Sequence, residues 1–433
     1  MNLIASGIGA AAVLAVMAAG SSGAAGPAAP SAPTAATRSA ELPELAGLGP
    51  LAIGTARYDL PVGARTIGVR LWYPARTAKP GTRTEIYRHT ARLASAPPYL
   101  ITEQGSAVVQ AAALGGSYPV LVMSHGFGGW DTHMSQLAEA LASHGYVIAA
   151  IDHRDVPFTD APSFLGSFGA VLVNRAEDVR VVLRQLLAGQ LGAADVLAET
   201  DRASIGLIGY SMGGYGALTT AGAALDPQAP ALAQLPDPAR QQAIQPDAEL
   251  AGRIKAVVAL APWGAQPSAR AWSDEGLRGI TAPLLLIDGN LDDVADYAQG
   301  VQRVFAKAAR ADRYLLTFRS AAHNIAGNPV ARRGDEAFST IEYFNDPVWR
   351  QERIVAIDQH FMLAFFDAML KQDTSKLRYL AVPTRVSDDG QWPSAFRQQW
   401  GGTVAGDAQP GYWRGFQRRW ARGLELDHRS AGD

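Results

Sequence analysis

The sequence predicts an α/β fold in which a mainly parallel central sheet of about eight strands carries helices on both faces and a small cap insertion. Three observations point there. Short apolar runs at residues 120–123, 146–151 and, but for Lys255, 254–260 are too hydrophobic for strands with one wet face. Segments with apolar residues three and four apart separate such runs, as in helices that cover a sheet. A glycine-rich turn, Gly209-Tyr210-Ser211-Met212-Gly213, joins one run to small residues able to begin a helix.

Residues 51–58 and 66–73 read as two opening strands joined at Pro61-Val62-Gly63. Residues 75–117 are punctuated by Gly, Pro and Ser and are expected to form a loop with short helical pieces. A buried strand at 120–123 follows, then a helix with Met134, Leu137 and Leu141 on one face. The strand at 146–151 leads to a helix carrying Val179, Val182, Leu183 and Leu186. The run 204–208 enters the glycine turn, and strands at 254–260, 283–287 and 314–318 complete the set. A final helix occupies 350–370. Two interruptions remain. Residues 155–170 hold Phe158, Phe164 and Phe168 among Gly and Pro, and residues 224–250 carry Pro227, Pro230, Pro236, Pro238 and Pro246 among scattered leucines. The second reads as a cap over the strand ends, where ligands bind in such sheets. Both could line an apolar pocket or lie on the surface.

The 433 residues are 48% hydrophobic and 18% charged, with a formal net charge of −2. That suffices for one large domain with extensions and lacks the basic balance of a polyanion binder. Arg414, Arg418, Arg419 and Arg422 lie in a Trp-rich tail, residues 381–433, which is expected to fold back on the domain; no nucleic-acid partner is expected. Cysteine is absent, which removes disulfides, thiolate metal sites and cysteine nucleophiles. His125, His133, His144 and His153 lack a paired-ligand spacing, so no metal is expected. Residues 1–19 are almost wholly apolar, and an Ala/Pro-rich stretch follows at 26–37. Segment 1–37 therefore reads as a signal peptide and linker of a secreted or periplasmic protein. Because no Lys or Arg precedes Arg38, an uncleaved membrane anchor is the alternative.

A serine raised on a strand-to-helix turn becomes a nucleophile only if a base takes its proton. Ser211 is the candidate, and the histidines after it are His323, His360 and His428. His323 follows a strand by a short loop, His360 sits within an apolar helix and His428 lies in the tail, so His323 is the expected base. The run Ile287-Asp288-Gly289-Asn290-Leu291-Asp292-Asp293 follows a buried strand, and Asp292 is the expected acid. Asp293 is the reserve, expected instead to cap a helix starting near Val294. Developing negative charge would be met by the backbone N–H groups of Met212 and of Phe127 in the loop Ser124-His125-Gly126-Phe127-Gly128-Gly129. Trp130, Tyr210, Trp263 and Phe158 are the candidate pocket residues.

The run YPVLVMSHGFGGWDTHMSQLAEALASHGYVIAAIDHRD, residues 118–155, together with GYSMGGYG, resembles the platelet-activating-factor acetylhydrolase and dienelactone-hydrolase-like branch of the α/β-hydrolases. The resemblance spans residues 51–380, within an expected catalytic domain at 45–380. It implies the α/β-hydrolase fold, cleavage of carboxylic esters through an acyl-serine, no cofactor, and Phe127 and Met212 as the oxyanion donors. In the acetylhydrolases the acid follows the strand after the nucleophile helix. Here that place reads Ala259-Leu260-Ala261-Pro262-Trp263, without a carboxylate, so the acid shifts to Asp292 as in dienelactone-hydrolase-like and polyester-hydrolase-like relatives. Dienelactone hydrolases proper use a cysteine, which this chain lacks. A small-molecule or lipid-like ester is the implied substrate, with transient contact to a lipid surface left open. An acyltransferase, a peptidase or a silent binding protein on the same fold are the alternatives.

Overall fold

The computed structural model describes residues 41–433 apart from 80, 92–97, 159, 193, 234, 236–244 and 393–410. The expected leader at 1–37 lies outside these residues. The described residues form twelve strands: β1 Ala52–Val62, β2 Arg65–Ala75, β3 Ile86–Ala91, β4 Tyr99–Gln104, β5 Val108–Val109, β6 Tyr118–Ser124, β7 Val147–Asp152, β8 Thr200–Tyr210, β9 Ile254–Leu260, β10 Leu284–Gly289, β11 Arg313–Phe318 and β12 Leu424–Arg429. Ten of them form one sheet in the order β12-β11-β10-β9-β8-β6-β7-β2-β1-β5. From β11 to β7 every neighbouring pair is parallel. The pairs β7–β2, β2–β1 and β11–β12 are antiparallel.

Alternation along each strand divides the core into two layers. Val120 and Val122 of β6, Leu207 of β8 and Val257 of β9 face one layer with Val179, Val182 and Leu183 of the helix Ala161–Ala188 and Leu218 of the helix Met212–Thr220. Leu121 and Met123, Ile208, Val258 and Leu260 face the other, with Leu137 and Leu141 of the helix Ser135–Ser143 and Phe361 and Phe365 of the helix Gln351–Met369. A period of two thus exposes both strand faces to apolar helices, which is why these strands read as unbroken hydrophobic runs.

Three features differ from the sequence expectation. The sheet has ten strands rather than about eight, because β5 and β12 add to its two edges. Residues 75–117 hold the antiparallel hairpin β3–β4 rather than helical pieces, with Tyr87, Ala91 and Tyr99 turned inward. The tail supplies β12, and its Trp413 is fully buried against Phe361. Part of the 224–250 insertion lies outside the described residues. Of the rest, Leu225, Leu232 and Leu235 are buried in the core, and Leu235 packs against Gly169 of the helix Ala161–Ala188.

Chain order places the site. After β7 the chain crosses over β6 to enter β8, and β9, β10 and β11 then add outward in sequence. The direction of winding changes between β6 and β8, where the carboxyl ends of neighbouring strands open a crevice.

Candidate active site

Ser211 follows β8 with φ 52° and ψ −115°. A non-glycine residue at positive φ costs about 1–3 kcal/mol and persists only where its surroundings impose it. Three hydrogen bonds do so: Ser211 N–H donates to Leu260 O (2.9 Å), while Ser211 O accepts from Trp263 N–H (3.2 Å) and Tyr215 N–H (3.1 Å). The helix Met212–Thr220 begins at once and passes so close to β6 that a Cβ on Gly213 would lie 2.0 Å from Ser124 O. Glycine is therefore required there on steric grounds.

His323 lies in the loop after β11, with Nε2 3.0 Å from Ser211 Oγ and Nδ1 2.7 Å from Asp292 Oδ2. The acid and base loops are stitched together by Leu291 N–H to Ala321 O (2.9 Å) and Ser320 N–H to Asn290 Oδ1 (2.6 Å). Tyr210 lies beside the imidazole, ring centroids 5.3 Å apart, and its hydroxyl donates to His323 O. Asp346 accepts from Ala322 N–H (2.7 Å) and ties the His323 loop to the segment that walls the site.

Asp292, rather than Asp293, meets the imidazole; Asp293 is exposed. The expected cap also falls elsewhere, because Asp292 Oδ1 itself accepts from Val294 N–H (2.7 Å) and Ala295 N–H (2.9 Å). Burial pushes the Asp292 carboxyl up, but the hydrogen bond and charge of His323, with the Ala295 N–H, hold it below the ordinary carboxylate value. Asp288, wholly buried in β10, goes the other way: burial first and the Asp292 charge second push it well above. An Asp as the fifth residue of a six-residue buried strand is the trace it leaves in the sequence.

A cavity of about 750 Å³ opens beside Ser211 and His323. Gly126, Phe127, Tyr210, Leu291, Val294, Phe338 and Ile341 give it apolar surface, and Asp293, Glu342 and Asp346 give it negative charge. Its far wall is 338–347, a segment the sequence did not single out, and no described residue of 224–250 lines it. Of the other pocket candidates, Tyr210 lines the cavity and three do not. Trp130 is buried between the rings of His89 and His133. Trp263 packs on Phe168 and Tyr215. Phe158 stacks on Phe127, 5.6 Å between centroids, and so backs the cavity rather than facing it. Each ring packs on a partner from another segment, which composition cannot reveal.

The other two histidines that follow Ser211 are held elsewhere. His360 is buried and accepts from Leu45 N–H through Nδ1. His428 bonds Asp312 and stacks on Tyr314.

Three side chains from the ends of β8, β10 and β11 thus converge at the switch point of a mainly parallel sheet. Comparison with known families agrees. Residues 35–161 match the family model of platelet-activating factor acetylhydrolase, isoform II, and residues 104–237 match that of PET hydrolase-like proteins. The chain has the α/β-hydrolase fold. Its likeness lies on the acetylhydrolase-like branch of that superfamily. This chain is 25% identical over 245 residues to a cutinase of Thermobifida fusca (strain YX), covering 54% of this chain and 65% of the relative. It is 25% identical over 261 residues to cutinase est1 of Thermobifida alba, covering 58% and 72%. It is 29% identical over 155 residues to the platelet-activating factor acetylhydrolase of Cavia porcellus, covering 26% and 36%. The chain thus spans under two thirds of the length of the first of these relatives. The two family matches end before Asp292 and His323.

Proposed function

We propose that this α/β-hydrolase cleaves carboxylic esters through an acyl-enzyme on Ser211. The observation that carries the reading is the unbroken path Ser211 Oγ–His323 Nε2, His323 Nδ1–Asp292 Oδ2, at 3.0 and 2.7 Å. Asp292 accepts the Nδ1 proton, which leaves Nε2 bare to take the Ser211 proton as Oγ attacks the ester carbonyl. The tetrahedral oxyanion is met by the N–H groups of Phe127 and Met212. His323 then returns the proton to the leaving alcohol, and water activated by the same ring releases the acid. Met212 opens a helix at the end of β8, so its N–H has no partner within the helix and adds the positive end of the helix dipole.

The cavity favours a neutral or cationic ester over an anionic one, because its charged lining residues are Asp293, Glu342 and Asp346 and no Lys or Arg among the described residues joins them. Exposed Leu291, Val294 and Phe338 at its mouth suit a lipid-like or polymeric ester presented at a surface. Relatives named cutinase and platelet-activating factor acetylhydrolase support an ester as the substrate. Residues 1–37 are proposed as an export signal and linker.

The test is a series of p-nitrophenyl esters of increasing acyl length with products identified. Wild type should release free acid, and Ser211→Ala should lose about four to six orders of magnitude in kcat while keeping its fold. A folded, fully active Ser211→Ala ends the proposal. Transfer to an added alcohol in place of hydrolysis would identify an acyltransferase.

A further inference from the structure

We infer that Arg175, Asp155 and His125 form a buried clamp that holds the Gly126–Phe127 peptide with its N–H turned toward Ser211, making them positioning residues for the oxyanion site. The inference rests on the proposed ester hydrolysis and concerns how its anion site is kept in shape.

The peptide oxygen is unusually well held. Gly126 O accepts from His125 Nδ1 at 2.6 Å, from Arg175 Nη2 at 3.0 Å and from Gly129 N–H at 3.2 Å. A trans peptide is planar, with C=O and N–H pointing to opposite sides. Fixing the Gly126 oxygen on the Arg175 side therefore turns the Phe127 N–H the other way. That other side is the cavity, which Gly126, Phe127, Ser211 and His323 line and Arg175 does not. The loop lies against the nucleophile: a Cβ on Gly126 would come 3.3 Å from Ser211 Cβ. The next peptide is held by the same device, since Asp155 Oδ2 accepts from Arg175 Nη2 (2.5 Å) and from Gly128 N–H (2.9 Å).

The tautomer of His125 is settled by a second contact. His153 N–H donates to His125 Nε2 at 3.2 Å, so the ring proton is on Nδ1, the atom facing Gly126 O. His153 is fixed in turn by Ser124 Oγ and Asp178.

Stability alone is a poor reason for this arrangement. Arg175 is 1% exposed, and its Nε has no hydrogen-bond partner among the described residues. Burying a guanidinium with incomplete bonding costs more than an apolar side chain would at the same place, where Val171, Leu172, Ala176 and Val179 are all buried hydrophobics. What the guanidinium does, and leucine cannot, is donate to a carbonyl oxygen at the mouth of the site. A flipped peptide would aim an oxygen, rather than a hydrogen, at the developing anion, so a loosened clamp should lower kcat and spare substrate binding.

The double variant Arg175→Leu/Asp155→Asn removes the ion pair without leaving a lone buried charge. Its kcat on p-nitrophenyl butyrate should fall on the order of 10- to 100-fold with KM within about threefold. Affinity for a trifluoromethyl ketone, which adds to Ser211 and forms a tetrahedral oxyanion, should weaken by the same factor as kcat/KM. A folded double variant with kcat and ketone affinity within about twofold of wild type overturns the clamp. If that variant does not fold, the pair His125→Asn and His125→Leu decides. The asparagine amide N–H occupies the place of Nδ1–H and should keep the rate, whereas leucine should lose it; equal rates overturn the inference. Ser211→Ala in parallel separates the two claims. Activity in Ser211→Ala defeats the hydrolase reading, while an inactive Ser211→Ala beside unimpaired clamp variants defeats the clamp alone.

Discussion

Asp292→Asn is the perturbation whose outcome the geometry determines most closely. Both backbone donors on this side chain reach one oxygen, Oδ1, from Val294 and Ala295 at 2.7 and 2.9 Å. An asparagine there must keep its carbonyl oxygen on those N–H groups, since turning the amide would set N–H against N–H. Its NH2 then faces His323 Nδ1, 2.7 Å away in the wild type. A donor at that place selects the imidazole with a bare Nδ1 and a protonated Nε2, which points its hydrogen at Ser211 Oγ and cannot accept one. The base is present, well placed and in the wrong tautomer. The expected loss is about 10⁴-fold in kcat, the size known for this change in a serine protease triad, or roughly 5 kcal/mol at 1.36 kcal/mol per decade. Asp292→Ala leaves the tautomer free and should retain at least as much activity as Asp292→Asn. The assay is steady-state hydrolysis of p-nitrophenyl butyrate at pH 7 by proteins matched for Tm. Asp292→Asn within tenfold of wild type refutes the tautomer argument.

Other expectations follow from burial. Asp288 is pushed well above its ordinary value, so the folded state holds a proton that the unfolded state releases as pH rises past about 4. Its contribution is therefore lost with rising pH until the folded value is passed, and the Tm of Asp288→Asn relative to wild type should climb from pH 4 toward neutrality. A difference independent of pH would contradict this. His125 and His153, lowered by burial and then by Arg175, and His133, lowered by burial to about 4, titrate in the opposite sense. Below about 6.5 the unfolded chain takes up protons that the folded chain refuses, so stability falls with pH, His133 alone costing about 3 kcal/mol by pH 4. The Tm of His133→Gln relative to wild type should therefore rise as pH falls from 6.5 to 4.5, and a difference independent of pH would refute the burial of this ring. Gly213→Ala places a Cβ 2.0 Å from Ser124 O and should cost about 1–3 kcal/mol or more while displacing the loop that carries Phe127. Wild-type Tm and kcat in that variant would show the approach to be looser than described.

What the sequence makes legible depends on whether a residue's role is local. β8 and the turn at Ser211 declare themselves because strand, strained turn and helix are consecutive, and Asp292 and His323 because each follows a buried run by a few residues. β12 does not, because Leu424 and Leu426 alternate with polar residues in a short stretch that becomes a strand only against β11. The hairpin β3–β4 is hidden for the same reason among the punctuation of 75–117. The cavity wall at 338–347 and the inward packing of Trp130 and Trp263 are set by contacts between distant segments. Arg175 left a trace that composition passes over, a charge in the apolar stripe of Val171, Leu172, Ala176 and Val179. Choosing between Asp292 and Asp293 required the register of the loop itself, which brings one carboxylate to the imidazole and leaves its neighbour exposed.

The most direct measurement is peptide-level mass spectrometry after treatment with a p-nitrophenyl phosphonate, which reacts only with a serine whose proton a neighbouring base removes. One adduct per chain, on the peptide bearing Ser211, with esterase activity lost in step and labelling abolished in His323→Ala, is the predicted result. Labelling elsewhere, or full esterase activity in protein modified at Ser211, would contradict the assignment of that hydroxyl as the nucleophile.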